Sequence, residues 1–303
     1  MPPSIPADRP RRSRRRVRFA AILSLVCLSA VISPHACAQD AASPRLRWPK
    51  LSGFVEVVVA DRYIYHGYVA DDHQPVVQPE FGIEAQFYEG NGWLTSASFV
   101  FTVFNSVQFY DQGVSTKNQP LRSWYEAQFE PGIAIGFANT VTATAKYIRL
   151  ESPNGAFLTS NALQLELELD DERWLGAYAL HPSFTWFAPI KIGSESGTEE
   201  GHYFEFAIEP EHTMNEKSKL PVTVSFPLTV GFGDKHYYAG RHFGYFSAGF
   251  SATIGLGFIP EAFGSWSVGV SGTLYRLGRT PAELTNGSDE YETVVAATLS
   301  TEF

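Results

Sequence analysis

Cysteine is almost absent: 303 residues hold two, Cys27 and Cys37, both close to the N-terminus. That pair builds no disulfide scaffold and no thiolate zinc site. Basic residues are scarce as well, 23 Lys and Arg against 32 Asp and Glu, for a formal charge of −9. An acidic chain lacks the electrostatic footprint of a nucleic-acid binder, so no nucleic-acid partner is expected. Charged residues are only 18% of the chain and aromatics reach 14%, which argues against intrinsic disorder. Beyond residue 38 there is no long apolar run and no sustained helical periodicity. A spanning helix needs ~20 apolar residues, so the body of the chain cannot be a helical membrane protein.

The one compact apolar run, Val17 to Ile32, overlaps the end of a segment with seven arginines from Arg9 to Arg18 and precedes Ala36-Cys37-Ala38. A basic start, a short apolar stretch and an A-x-A site make a secretory leader. Residues 1–38 are therefore expected to be removed on export. Residues 39–50 then form a short periplasmic segment and 51–303 the folded body. Cleavage takes both cysteines away and leaves 16 basic and 31 acidic residues, a net charge of −15. Any catalysis by the mature chain would rest on oxygen or imidazole chemistry.

What remains is dominated by a period of two. Leu163, Leu165, Leu167 and Leu169 alternate with Gln164, Glu166, Glu168 and Asp170. On a helix these would scatter over every face; on a strand they separate into one apolar and one acidic side. The pattern predicts about twelve strands, roughly 52–67, 76–88, 92–106, 121–135, 139–150, 160–170, 173–189, 201–212, 220–232, 243–257, 264–277 and 291–303. The fold class is all-β.

Soluble sandwiches alternate too, but three features point to an antiparallel up-and-down barrel in a membrane. The segments are about ten residues or longer, enough to cross a bilayer at a tilt. Aromatic residues near segment ends, Tyr63, Tyr65, Trp93, Trp174, Trp186, Trp266, Tyr291 and Phe303, suit two interfacial girdles. Short turns such as 89–91 and 170–172 alternate with long links such as 107–120, 190–200, 233–242 and 278–290. The last strand runs from Tyr291 to a terminal Phe303. It resembles the closing strand of bacterial outer-membrane proteins, which implies outer-membrane lipid and the barrel-assembly machinery as partners. Val57 to Gly67, followed by Pro75-Val76-Val77-Gln78-Pro79, resembles the first hairpin of TorF-type porins, although Arg62 is inserted and His66 stands where Arg is usual.

In such a barrel the polar faces line the lumen. Glu56, Glu80, Glu84, Glu126, Glu130, Glu166, Glu168, Glu205, Glu209, Glu292 and Glu302 would point inward, joined by Arg62, Arg122 and Lys146. Later strands contribute a hydroxyl wall with Ser225, Thr229, Ser247, Ser251, Thr253, Ser267, Ser271 and Thr273. Twelve tilted strands give a radius of roughly 12 Å. The expected function is a porin-like channel for small hydrophilic solutes, cation-preferring because charged rings set ion preference. Two other classes compete: a non-conducting structural or adhesive barrel, and a lipid hydrolase. His181-Pro182-Ser183 is the only His-x-Ser, expected in mid-strand, and the His-x-Ser-Asn-Gly pattern of twelve-stranded outer-membrane phospholipases is absent. No catalytic residue is assigned. The loop-side His66, His73, His202, His236 and His242, near Asp71, Asp72 and Asp234, match no metal-site spacing and are read as solvated. No cofactor is implied.

Overall fold

A computed structural model describes residues 49–71, 74–109, 123–191 and 201–303. The expected leader (residues 1–38), residues 39–48, Asp72, His73 and Arg122 lie outside the described residues. The long strands are β1 (Lys50–Ala60), β4 (Val76–Glu89), β5 (Leu94–Gln108), β6 (Trp124–Phe137), β7 (Val141–Glu151), β8 (Ser160–Leu169) and β9 (Ser183–Ile190). They continue as β10 (Tyr203–Ile208), β11 (Glu211–Met214), β12 (Val222–Ser225), β13 (Leu228–Gly233), β14 (Phe243–Gly255), β15 (Ser265–Leu277) and β16 (Tyr291–Glu302). A hairpin of β2 (Tyr63–Tyr65) and β3 (Tyr68–Asp71) stands apart from this sheet.

Every neighbour pairing is antiparallel, and β1 pairs with β16 from Phe54↔Glu302 to Ala60↔Ala296. The β14–β15 pairing completes the ring, a closed barrel of twelve strands. Two of the twelve are each split in two by proline. Pro210 separates β10 from β11, and Pro227 separates β12 from β13. A proline has no N–H for the ladder, so strands break or bend there. Its carbonyl still accepts: Phe226 N–H reaches Pro210 O at 3.0 Å, and Gly249 N–H reaches Pro227 O at 2.8 Å.

Two strand predictions need correction. The first strand ends at Ala60 rather than 67, and the chain then turns into the hairpin. The seventh begins at Ser183 rather than 173, because residues 170–182 fold into a compact connection around α1 (Glu172–Leu175). The Asp171 carboxylate holds it together by accepting the N–H groups of Leu180 at 3.0 Å and His181 at 3.0 Å. His181 therefore precedes the strand instead of lying within it.

Alternation decides which side each residue takes. The outer surface carries Val55, Phe81, Phe99, Ile133, Leu163, Phe206, Phe250, Val270 and Val295, all exposed. The buried apolar cluster lies inside the ring, toward its long-loop end, and includes Val58, Ala60, Ile148, Leu150, Phe187 and Leu277. The core thus sits where the hairpin sits.

Candidate functional site

The hairpin of β2 and β3 is turned by His66-Gly67, with φ of +44° and +83°. Positive φ at both central residues is the type I′ signature, whose twist matches the flanking strands. Glycine is demanded at the second position by space as well: a Cβ on Gly67 would stand 2.9 Å from the Gly244 carbonyl oxygen. This tight turn lets nine residues fold back inside the ring and form a plug.

Aromatic stacking and hydrogen bonds seat the plug. The His66 ring lies between Tyr65 and Tyr203, with centroids 3.8 and 3.6 Å away, and meets the edge of Phe187 at 5.6 Å. Its Nδ1 is hydrogen-bonded to the Tyr237 hydroxyl. Burial pushes the His66 pKa well below its ordinary value, so the ring is held neutral. The Tyr238 hydroxyl donates to the His66 carbonyl at 2.8 Å, and Tyr68 donates to the Tyr237 carbonyl at 3.1 Å. From the last loop, α2 (Arg279–Thr285) contributes the Thr285 hydroxyl as acceptor for Val69 N–H at 2.9 Å. Asp234 organises the 233–242 loop by accepting N–H groups of His202, His236 and Tyr237. Its burial favours the neutral acid, but these bonds outweigh it and hold the pKa below the usual carboxylate value.

Below and beside the plug, the inner wall carries the predicted acids. Glu126 and Glu205 are fully enclosed and held by tyrosines. Tyr63 donates to Glu126 at 3.1 Å; Tyr203 donates to Glu205, and Tyr245 does so at 2.6 Å. Lys146 pairs with Glu130 at 3.1 Å. The register sets Glu56 against Glu80, Thr144 against Glu166, and Thr185 between Glu166 and Glu205. These carboxylates therefore share the inner face. Glu168 faces Ser183 on that wall, and Glu209 accepts the Ser225 hydroxyl at 2.7 Å. Glu84 and Glu302 stand exposed toward the short-turn rim, and Glu292 is ion-paired with Arg62. The opposite wall is hydroxylic: Ser225 and Ser251 meet at 2.8 Å, and Ser267 and Ser300 at 2.7 Å.

The girdle assignment divides. Trp93, Trp174, Tyr291 and Phe303 are exposed at strand ends or turns. Trp266 donates to the Phe263 carbonyl at 2.8 Å near the short-turn end, and Trp186 donates to His202 at 3.1 Å near the long-loop end. Tyr63 and Tyr65 are corrected: each is only 1% exposed, because the hairpin carries both inside the barrel. His66 is likewise enclosed and not a solvated loop histidine. Among the described residues, no three His, Cys, Asp or Glu side chains gather into a metal-binding group.

Sequence reasoning missed Tyr203, Tyr245 and Tyr275 as interior groups, although all three fall on the inner parity of their strands. It also missed Tyr237, Tyr238 and α2, which carry no such parity signal. Gln78 and Gln128 are further buried polar side chains.

No family model and no curated protein matches the chain. Several solved structures are similar to it in fold. The NanC porin has a TM-score of 0.44 at 13% identity, covering 82% of this chain and 98% of that one. LpxR from Salmonella typhimurium has a TM-score of 0.39 at 10% identity, covering 82% and 99%. A bacterial polysaccharide outer membrane secretin has a TM-score of 0.41 at 8% identity, covering 84% and 97%.

Proposed function

We propose that this protein is an exported outer-membrane barrel that lets small hydrophilic solutes pass, as porins do. One observation carries the reading: the ring is closed, its outer surface is mainly apolar, and its inner face carries the acidic and hydroxylic side chains. Exposed apolar surface on nearly every strand is far more than a soluble monomer tolerates. A closed barrel is also the only sheet that leaves no unpaired edge in lipid. In this reading the expected leader would direct export, and β16 would be the element that the barrel-assembly machinery reads.

Ion preference follows from the wall. Glu56, Glu80, Glu130, Glu166 and Glu168 share the inner face with Lys146, while Lys50 at the start of β1 is exposed and paired with Glu89, so cations are favoured over anions. The hairpin narrows the long-loop half, so conductance is expected to be small for a barrel of this size. Planar-bilayer recording with a salt gradient tests both statements. Small cation-selective steps are the expected result. Anion selectivity removes the acidic-wall argument, and an absence of conductance assigns the barrel to a structural or adhesive role.

A further inference from the structure

Along β13 to β16 the outward parity carries a single charged side chain, Arg276 near the long-loop end of β15. Val268, Val270 and Leu274 precede it on the same exposed face, and Tyr275 beside it is buried within the ring. Register sets Arg276 between Phe246 of β14 and Tyr291 of β16, both exposed. Closer to the rim, Phe232 of β13 meets Phe243 of β14 edge to face at 6.2 Å. Aromatic side chains in this position mark the level of the lipid headgroups.

Arg276 has no counterion. Among the described residues, no carboxylate stands within ion-pairing distance of it, or of the exposed Lys235 and Arg241 in the loop between β13 and β14. Backbone bonds tie this loop to the strand ends: Gly233 N–H reaches the His242 carbonyl at 2.8 Å, and Gly278 N–H, just past β15, reaches the Gly244 carbonyl at 2.6 Å. Acids of the adjoining loops are engaged elsewhere. Asp234 accepts backbone N–H groups, Asp289 accepts that of Tyr291 at 3.0 Å, and Glu283 is paired with Arg279 at 2.6 Å. The outward Arg149 of β7, by contrast, has Glu151 at 2.6 Å. A cation on a lipid-facing strand is tolerated near the interface, where its head reaches the headgroup layer. A guanidinium there pairs with two phosphate oxygens at once. In a chain of formal charge −9, cations left unpaired at one rim are complementary to an anion from outside, and the surrounding bilayer presents lipid phosphates at that level.

We propose that the long-loop rim over β13 to β16 is a docking site for the phosphate headgroup of a membrane lipid. Arg276 is the anchoring fork, Arg241 and Lys235 are flanking charges, and Phe246 and Tyr291 receive the acyl chains. The proposal rests on the outer-membrane placement and not on conduction. The loop beside this lipid is the one that seats the plug through Tyr237 and Tyr238.

Native mass spectrometry of the full mature barrel, folded in detergent, tests it by counting retained lipid. The probes are phosphatidic acid and diacylglycerol with the same acyl chains, which differ only in the phosphate. Phosphatidic acid is expected to bind roughly tenfold tighter. Arg276→Gln should weaken it roughly fivefold, and Arg276→Lys less, because the charge remains without the fork. Arg241→Gln combined with Lys235→Gln should weaken it roughly two- to threefold. Lys217→Gln, in the turn after β11 at the opposite rim, should change nothing. Heat-modifiable gel migration confirms that each variant is folded; if Arg276→Gln is not, the double variant decides. Equal retention of the two probes, retention of phosphatidic acid unchanged by Arg276→Gln, or its displacement by an equal concentration of inorganic phosphate overturns the lipid site and leaves the membrane barrel standing. A wild-type chain without heat-modifiable migration overturns the barrel placement as well.

Discussion

The two inner walls of this barrel satisfy their polar groups by different means. On one, carboxylates of β4 to β10 are neutralised by Lys146 or capped by tyrosine hydroxyls. On the other, the serines of β12 to β16 bond to one another across neighbouring strands. The charged wall takes donors from Lys146 and Tyr203 on its own strands and from Tyr63 and Tyr245 outside them, whereas these serines pair with one another. This difference explains where the plug leans. Tyr63 supplies a donor to Glu126, and the His66 ring packs on the tyrosine that caps Glu205. On the other wall Arg62 pairs with Glu292 of β16, and a cleft lies beside that pair.

The largest expected effect breaks this comparison directly. Lys146→Met leaves Glu130 and its neighbours without their cation, and losing one partner of a buried pair costs about 3–5 kcal/mol. Ser251→Ala on the other wall removes one neutral hydroxyl bond and should cost no more than about 1 kcal/mol. Urea unfolding of the two variants in detergent compares them; equal costs would mean that the walls do not differ as described. Next comes the plug itself. Gly67→Val places a β-branched side chain at φ +83° and against the Gly244 carbonyl, a strain of about 1–3 kcal/mol. The ring should still close while the plug loosens, so bilayer conductance should rise without loss of heat-modifiable migration. The smallest effect is on pH. Because burial lowers the folded-state pKa of His66, the unfolded chain takes up its proton first. The stability contributed by the neutral ring is complete above pH ~6.5 and declines below it, by at most about 1.4 kcal/mol per pH unit. Unfolding midpoints between pH 7.5 and 5 should show this slope in the wild type and a flatter one in His66→Asn.

Period-two sorting made the strands legible because facing is a local property of an extended chain. Leu163 to Leu169 sort their faces whatever lies across from them. The hairpin is hidden because Tyr63-Ile64-Tyr65 continues the alternation of β1 smoothly, so the pattern reads as one strand to residue 67. Only the His66-Gly67 pair hinted at a turn. A second signal lay on β7, where the pattern inverts: Ile148 and Leu150 face inward while Arg149 is on the outer side. Apolar residues on the lumen face imply that something apolar covers them, and the plug does. The Asp171 turn was hidden for another reason. Its carboxylate acts on N–H groups nine and ten residues away, beyond any local pattern.

The amino-acid order alone determined an all-β chain with one apolar and one polar face per strand, because side-chain alternation depends only on extended backbone geometry. It also determined that the polar face is acidic on some strands and hydroxylic on others. Which loop folds inward, which carboxylates the plug caps, and where a cleft remains were decided only when β1 met β16. Closure brings Tyr63 to Glu126 and His66 to Tyr203, residues far apart in the chain that no local preference could have paired.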